Sequence, residues 1–449
     1  MMFDPSGNIT GTAFSSMAAS FSGRGRILAE SRRADHRRAL AGFLPFKRAP
    51  AGSPCLAQPL SLHSGSSVET RMRRATVRVL YISEVQWLSQ VSRKHLIVRR
   101  LPRDWDILFV SPANAARGEN SLRLRTDPTQ SNVRFVSLPL PKPDSRIPLV
   151  RALTGPLSTF GTNRLVNVAR SFDPDVLVCS YLWGADAAAE LRAGGRPLVY
   201  DLNDLHTSFY PDRPLEAEEL FRRLLETSDE VVSSSEHLRE VAGRGVVIGN
   251  GVDLDTFAGR QEVPKPDELA RGPLSELDDL VCYVGSVDER IDFGLVEAVG
   301  RELDNRDSRS GLLFIGRVFD SVAGEVARVR EKLGDRVRFL GRVAYERLPQ
   351  FMSHTSVGIA PFVLSPRTRA INPNKLYMYA AMDMNVVSTP FSPEIERQGD
   401  LVYVASGPDD FASAVGAALR DEDRRRMVRE SIALPNSWDE KAREFAGLL

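Results

Sequence analysis

Two doubly wound α/β domains joined by a hinge are the fold this sequence predicts. Three observations point there. From residue 77 onward short, near-continuous apolar runs recur, as in parallel strands buried on both faces. The stretches between them are long enough for crossover helices. A polar segment, 259–273, carries Pro264, Pro266 and Pro273 and divides the series in two. The chain has 449 residues, 42% of them hydrophobic and 26% charged, which suits two or three globular domains.

In the first half the expected strands are 77–82, 106–110, 133–136, 175–179, 197–200, 230–233 and 246–248, with helices at 164–170 and 214–227. In the second half they are 281–284, 312–315, 337–340, 356–360, 385–388 and 401–404. Residues 421–449 read as helical with a break near Pro435. Several strands end in glycine, at Gly285, Gly316 and Gly341, where a missing Cβ permits tight turns and close ligand approach. Ligands of open α/β sheets bind at that edge. The expected division is 75–258, a linker at 259–273, 274–430, and a terminal helix at 431–449.

Residues 1–74 differ from the rest. They hold eleven Lys and Arg against four Asp and Glu, and their apolar residues have no sustained period. A transit-like peptide, a disordered basic arm, and an upstream translation with the true start at Met72 all fit this composition. The last two together are the preferred expectation.

Several classes are excluded. A formal net charge of +1 gives no global footprint for nucleic acid, and no nucleic-acid partner is expected. Cys55, Cys179 and Cys282 are scattered and show no CxxC spacing, which argues against a structural zinc site or a disulfide framework. No apolar run reaches the roughly 18 residues of a spanning helix. Neither GxxxxGK[ST] nor a GxGxxG after the first strand occurs, against a P-loop NTPase or a dinucleotide-binding enzyme.

The most informative stretch runs from Asn372 through Pro373, Asn374, Lys375, Leu376 and Tyr377. Asn372 suits an N-cap and Pro373 the first helical position. A helix start offers free N–H groups to an anion, and Lys375 would add a full charge. A capped helix with a solvated lysine fits the same residues.

Taken in order, Asn250-Gly251-Val252-Asp253, Tyr283-Val284-Gly285-Ser286, Phe314-Ile315-Gly316, Phe339-Leu340-Gly341 and the Asn372–Tyr377 run resemble GT-B fold nucleotide-sugar-dependent glycosyltransferases. The closest pattern is that of the family 4, group 1-like enzymes of exopolysaccharide or teichuronic-acid type. The resemblance spans roughly residues 77–445. It implies an N-terminal domain for the acceptor and a C-terminal domain for a UDP- or GDP-sugar. It also implies transfer to a glycan or lipid-linked acceptor in cell-surface polysaccharide synthesis, with retention of configuration, no cofactor and no required metal.

Donor-binding roles carry over to Gly285, Ser286, Arg290, Gly316, Asn372, Asn374, Lys375 and Tyr377, with Glu394 as a nearby carboxylate. Asp204 is the first candidate for the base, then Asp201 and His206, although Asp201 and Asp204 also suit loop and cap chemistry. The family usually has Glu where this chain has Met378, a residue that commonly accepts hydrogen bonds from the donor ribose. Its Gly and Pro further on are Asp383 and Asn385 here. These departures leave a binding or scaffold relative, or an epimerase on the same fold, as alternatives. Finally, Arg93, Lys94, Arg99, Arg100 and Arg103 are expected on an outward basic helix face. That face suits peripheral contact with anionic lipid at the inner face of the plasma membrane, from a cytoplasmic location.

Overall fold

The computed structural model describes residues 76–449 except 90, 114–122, 141–153, 211–212, 272–273, 277–278 and 307–309. The expectations for 1–74, including Met72 as a start, lie outside the described residues.

The first sheet has eight strands: β1 (Arg78–Ile82), β2 (Asp106–Pro112), β3 (Arg125–Asp127), β4 (Gln130–Leu138), β5 (Val176–Cys179), β6 (Leu198–Leu202), β7 (Glu230–Ser233) and β8 (Val246–Val247). Their spatial order is β3-β4-β2-β1-β5-β6-β7-β8. All neighbours are parallel except β3 and β4. The edge strand β3 escapes the apolar-run criterion because it is three residues long with two exposed.

The second sheet has six strands: β9 (Asp279–Val284), β10 (Ser310–Ile315), β11 (Val337–Phe339), β12 (Val357–Ala360), β13 (Asn385–Ser388) and β14 (Tyr403–Val404). They run in the order β11-β10-β9-β12-β13-β14, every pair parallel. In each sheet the chain starts centrally, builds outward on one side and then crosses to the other. The order therefore reverses between β1 and β5, and between β9 and β12. A crevice opens at the carboxyl ends of the strands at such a reversal.

Apolar side chains explain the layers. Leu80, Ile82, Leu177 and Tyr200 face one side of the first sheet; Val79, Tyr81, Phe109 and Val178 face the other. The second face is closed partly by Trp438 and Phe445 of the last helix, Trp438–Ala446. That helix leaves the second domain and packs on the first. Its entry is pinned by Trp438 N–H to Val252 O at 3.0 Å and Val252 N–H to Asn436 O at 2.9 Å. The polar segment after residue 258 contains one short helix, Asp267–Ala270.

Two departures from the family pattern have structural work. Asp383 ends the helix Asn374–Ala381 at φ 54°, in the left-handed region. Its Oδ2 accepts from the Arg260 amide at 3.1 Å and from Arg429 Nη1 at 3.0 Å. Asn385 is fully buried and donates to the carbonyls of Ala418 at 2.7 Å and Asp421 at 2.6 Å.

Tyr379 locks the same helix to both strands of the second reversal point. Its hydroxyl accepts from Val284 N–H at 2.8 Å and donates to Ile359 O at 3.2 Å. Its ring lies against Gly358 of β12, where an added Cβ would come within 2.3 Å. Gly358→Ala is therefore expected to destabilise the protein by about 1–3 kcal/mol through overpacking. A lowered urea midpoint with an unchanged m-value checks this.

Candidate functional site

The two reversal points face each other across one cleft of about 460 Å³. On the second domain's wall, the loop after β9 supplies Gly285, Ser286 and Arg290, and the segment after β12 supplies Phe362, Asn374, Lys375 and Met378. On the first domain's wall, the loop after β1 supplies Glu84, the helix Arg93–Val98 supplies Arg93 and Lys94, and the loop after β6 supplies Asn203 and Asp204. A second lobe of about 480 Å³ continues past Gly316, Arg317, Arg342 and Val343. Both lobes share Gly285, Ser286, Tyr345 and Leu348, so they form one groove.

Lys375 stands in the first turn of the helix Asn374–Ala381. Its ammonium lies over the rings of Phe362, at 4.1 Å, and Tyr283, at 4.8 Å. Among the described residues no carboxylate is bonded to it. Burial, with the Arg290 charge adding, pushes its pKa down to about 7. Arg290 is held differently: Asp288 grips it through Nε at 2.8 Å and Nη2 at 2.6 Å. This wall thus carries one positive group held fixed and one able to gain its proton.

Glycine edges make room for it. A Cβ on Gly285 would lie 3.7 Å from Lys375 Nζ, and one on Gly316 only 1.8 Å from the Gly285 carbonyl. The Gly285 N–H donates to Ile315 O at 2.9 Å, so Gly285 contributes space rather than a free donor.

The opposite wall carries both signs, Glu84 and Asp204 beside Arg93 and Lys94. Burial raises the Asp204 pKa, against the pull of His206 and Lys94, which favours a proton acceptor facing the cleft. Glu84 was not singled out from the sequence, although its position just past a buried strand is the signal that marks it. Its carboxylate pairs with Lys94 and accepts from Ser180 Oγ at 3.2 Å. Burial pushes it up, but Lys94 and His206 outweigh burial and hold it below the ordinary value.

Several expected site residues stand elsewhere. Asp201 is fully buried behind the cleft, accepting from the Tyr81 hydroxyl at 2.5 Å and facing Arg93 Nε at 3.6 Å. His206 is buried against Tyr200 Oη, 3.1 Å from Nδ1, and Asn203 Oδ1, 3.2 Å from Nε2. Burial lowers its pKa. Neither lines the cleft. Asn372 lines it, but its amide is occupied: Nδ2 donates to Ser234 O at 3.0 Å, and Oδ1 accepts from Tyr377 Oη at 3.0 Å. The N-cap is Pro373, and the helix starts one residue later than expected. Tyr377 is thereby turned from the cleft. Glu394 belongs to an interdomain clasp, its Oε1 accepting from the Glu236 amide at 2.8 Å.

The basic helix face is likewise corrected. Arg93 and Lys94 are 6% and 5% exposed and turn inward. Arg99 lies over the Trp87 ring, and Arg100 pairs with Asp253 at 2.9 Å and Asp439 at 3.3 Å. Of the five, only Arg103 is plainly exposed. The carboxylates and the last helix packed nearby draw these side chains in. Among the described residues no helix is long and apolar enough to cross a membrane. Nor is there, among them, a cluster of three or more His, Cys, Asp or Glu suited to a metal.

Facing Rossmann-like domains with a groove across both reversal points define the GT-B architecture. The comparisons with known proteins agree. Residues 278–421 match the family described as Glycosyl transferases group 1. A Bacillus subtilis protein named for teichuronic acid biosynthesis, the glycosyltransferase TuaH, is 24% identical over 295 residues, 63% of this chain and 68% of its own. Among solved structures, sucrose-phosphate synthase from Thermosynechococcus elongatus superposes with a TM-score of 0.63 at 18% identity, covering 83% of this chain and 98% of that one. Anabaena HepE, in complex with UDP and glucose, gives 0.59 at 14%, covering 83% and 99%. The chain has the GT-B fold, and its C-terminal domain, residues 278–421, matches the group 1 glycosyltransferases.

Because the Lys375 amine is already half deprotonated near pH 7, an anion seated beside it raises its pKa and draws in a proton. Above pH 7, calorimetry of pyrophosphate binding in buffers of different ionisation enthalpy is expected to show proton uptake that Lys375→Met lacks. The affinity advantage of wild type over this variant is expected to shrink as pH rises from 7 towards 9.

Proposed function

We propose that this glycosyltransferase takes its sugar from a nucleoside diphosphate sugar, UDP- or GDP-linked, and passes it to a glycan or lipid-linked acceptor in cell-surface polysaccharide synthesis. The observation that carries the reading is the polarity of the cleft. One wall holds Arg290 and Lys375 beside a helix start, and the facing wall holds Asp204. The name of the Bacillus relative supports the polysaccharide context, and the UDP and glucose in the Anabaena structure support the donor class.

The chemistry follows from that polarity. The bond between the sugar's anomeric carbon and the diphosphate oxygen breaks, and negative charge builds on that oxygen. Arg290 and protonated Lys375 stabilise it, most strongly in the transition state. The incoming hydroxyl forms the new glycosidic bond and gives up its proton to Asp204, or to the departing phosphate if the acceptor stays on the donor's leaving face. The positive charge is supplied by side chains, so the reading requires no resident metal.

Thermal unfolding in the presence of UDP-, GDP- and ADP-sugars tests the donor class, since a ligand of the folded state raises the melting temperature. One donor is expected to stabilise the protein, and Lys375→Ala to abolish that shift. No shift with any of them sinks the reading. Asp204→Asn is expected to retain the shift while lowering kcat by about 10²–10⁴ if Asp204 takes the proton. An unchanged kcat would assign the proton to the phosphate.

A further inference from the structure

A separate groove of about 430 Å³ lies on the first domain, between the helix Thr154–Phe172 and the sheet face formed by β2 and β4. It shares no lining residue with the cleft between the domains. Its wall is apolar. Leu108, Val136 and Leu138 come from the sheet, Val168 from the helix, and Leu124, just before β3, lines it while 52% exposed. Apolar side chains along an open groove keep contact with water, a cost that an apolar ligand removes.

The same groove has a surplus of positive charge. Three arginines line it, Arg78, Arg134 and Arg164, and among the described residues no Asp or Glu does. Two of the three are answered from just outside. Arg134 Nη2 grips Asp106 at 3.0 and 2.7 Å, and Arg78 Nε stands 3.7 Å from the same carboxylate. Both guanidiniums also lie over the Phe172 ring, at 4.6 Å for Arg78 and 5.3 Å for Arg134. Arg164, about two turns before Phe172 on the helix, is not answered. Among the described residues it has no hydrogen bond or ion pair, and its Nε is buried without a partner.

A guanidinium fork suits the paired oxygens of a carboxylate or phosphate, and such a bond to Arg164 breaks none already made. The volume and the apolar wall suit a small molecule rather than a chain segment. We propose that this groove binds an amphiphilic anion, with a carboxylate or phosphate head on Arg164 and an unbranched apolar tail along Leu108, Val136 and Leu138. The proposal stands apart from the donor reading above and does not depend on it.

Calorimetry on the full chain, in phosphate-free buffer and below micelle-forming concentrations, tests it. Decanoate and decyl phosphate are expected to bind, and octanoate to bind about tenfold more weakly than decanoate, as two buried methylenes predict. Decyl maltoside has the tail without the charge, and inorganic phosphate the charge without the tail. Each is expected to bind at least tenfold more weakly than decyl phosphate, and parity of either with it overturns the proposal. Arg164→Gln strands no carboxylate and is expected to weaken decanoate at least tenfold. Val168→Trp, which fills the groove from the helix side, is expected to abolish binding. Lys375→Met is expected to leave binding unchanged. Loss in Lys375→Met with Arg164→Gln unaffected would put the amphiphile in the interdomain cleft and overturn the assignment. So would the absence of binding by both anionic amphiphiles.

Discussion

A buried guanidinium ties the cleft together. Arg93 Nη1 donates to Gly249 O at 2.7 Å and reaches Asn250 Oδ1 at 3.3 Å, while its Nε faces Asp201. Asn250 donates to Asn372 O at 2.7 Å, and Asn372 donates back to Ser234 O in the first domain. One run of bonds thus passes from the first domain through the segment after β8 into the second domain and returns. A buried ion pair contributes little net stability, but stranding one member costs about 3–5 kcal/mol. The arrangement is therefore kept whole or lost. Ser235 Oγ to Ala370 O at 2.9 Å, and Glu394 to the Glu236 amide, reinforce the same junction.

With the domains held this way, charge is distributed unequally between the walls. Arg93 and Lys94 are matched by Asp201 and Glu84, so they shape the first domain's wall without leaving it strongly positive. Lys375 has aromatic faces instead of a carboxylate, and its charge is left for a ligand. An ammonium in such surroundings is poorly solvated, which is why its proton is loosely held until an anion arrives. Two lysines of one cleft thus differ in role because of their neighbours, not their chemistry.

Departures from a family pattern need the same attention to neighbours. Asp383 stands at a left-handed position where glycine is the easy choice, and it is held there by Arg260 and Arg429. Asn385 satisfies two carbonyls at the end of a helix. Both lie at the far end of the Asn374–Ala381 helix and say nothing against activity. Met378 is the departure that faces the groove, and it alone alters the chemistry on offer there.

The strands and the glycine-ended edges were legible in the sequence because buried parallel strands are written as local apolar runs, and 230–233 and 385–388 coincide with β7 and β13. The placement of Arg290 and Lys375 on the cleft was legible too, since a loop after a strand and a helix start are local features. The fate of Asp201, Tyr377, Glu394 and the Arg93–Arg100 face was not. Asp201, Glu394, Arg93 and Arg100 were decided by partners more than a hundred residues away or by the last helix crossing back to the first domain, and Tyr377 by an Asn372 that Ser234 holds from the first domain. Periodicity reports which side of an element is apolar. It does not report which charge a polar side chain will meet, because that depends on how two separately coded sheets come to face each other.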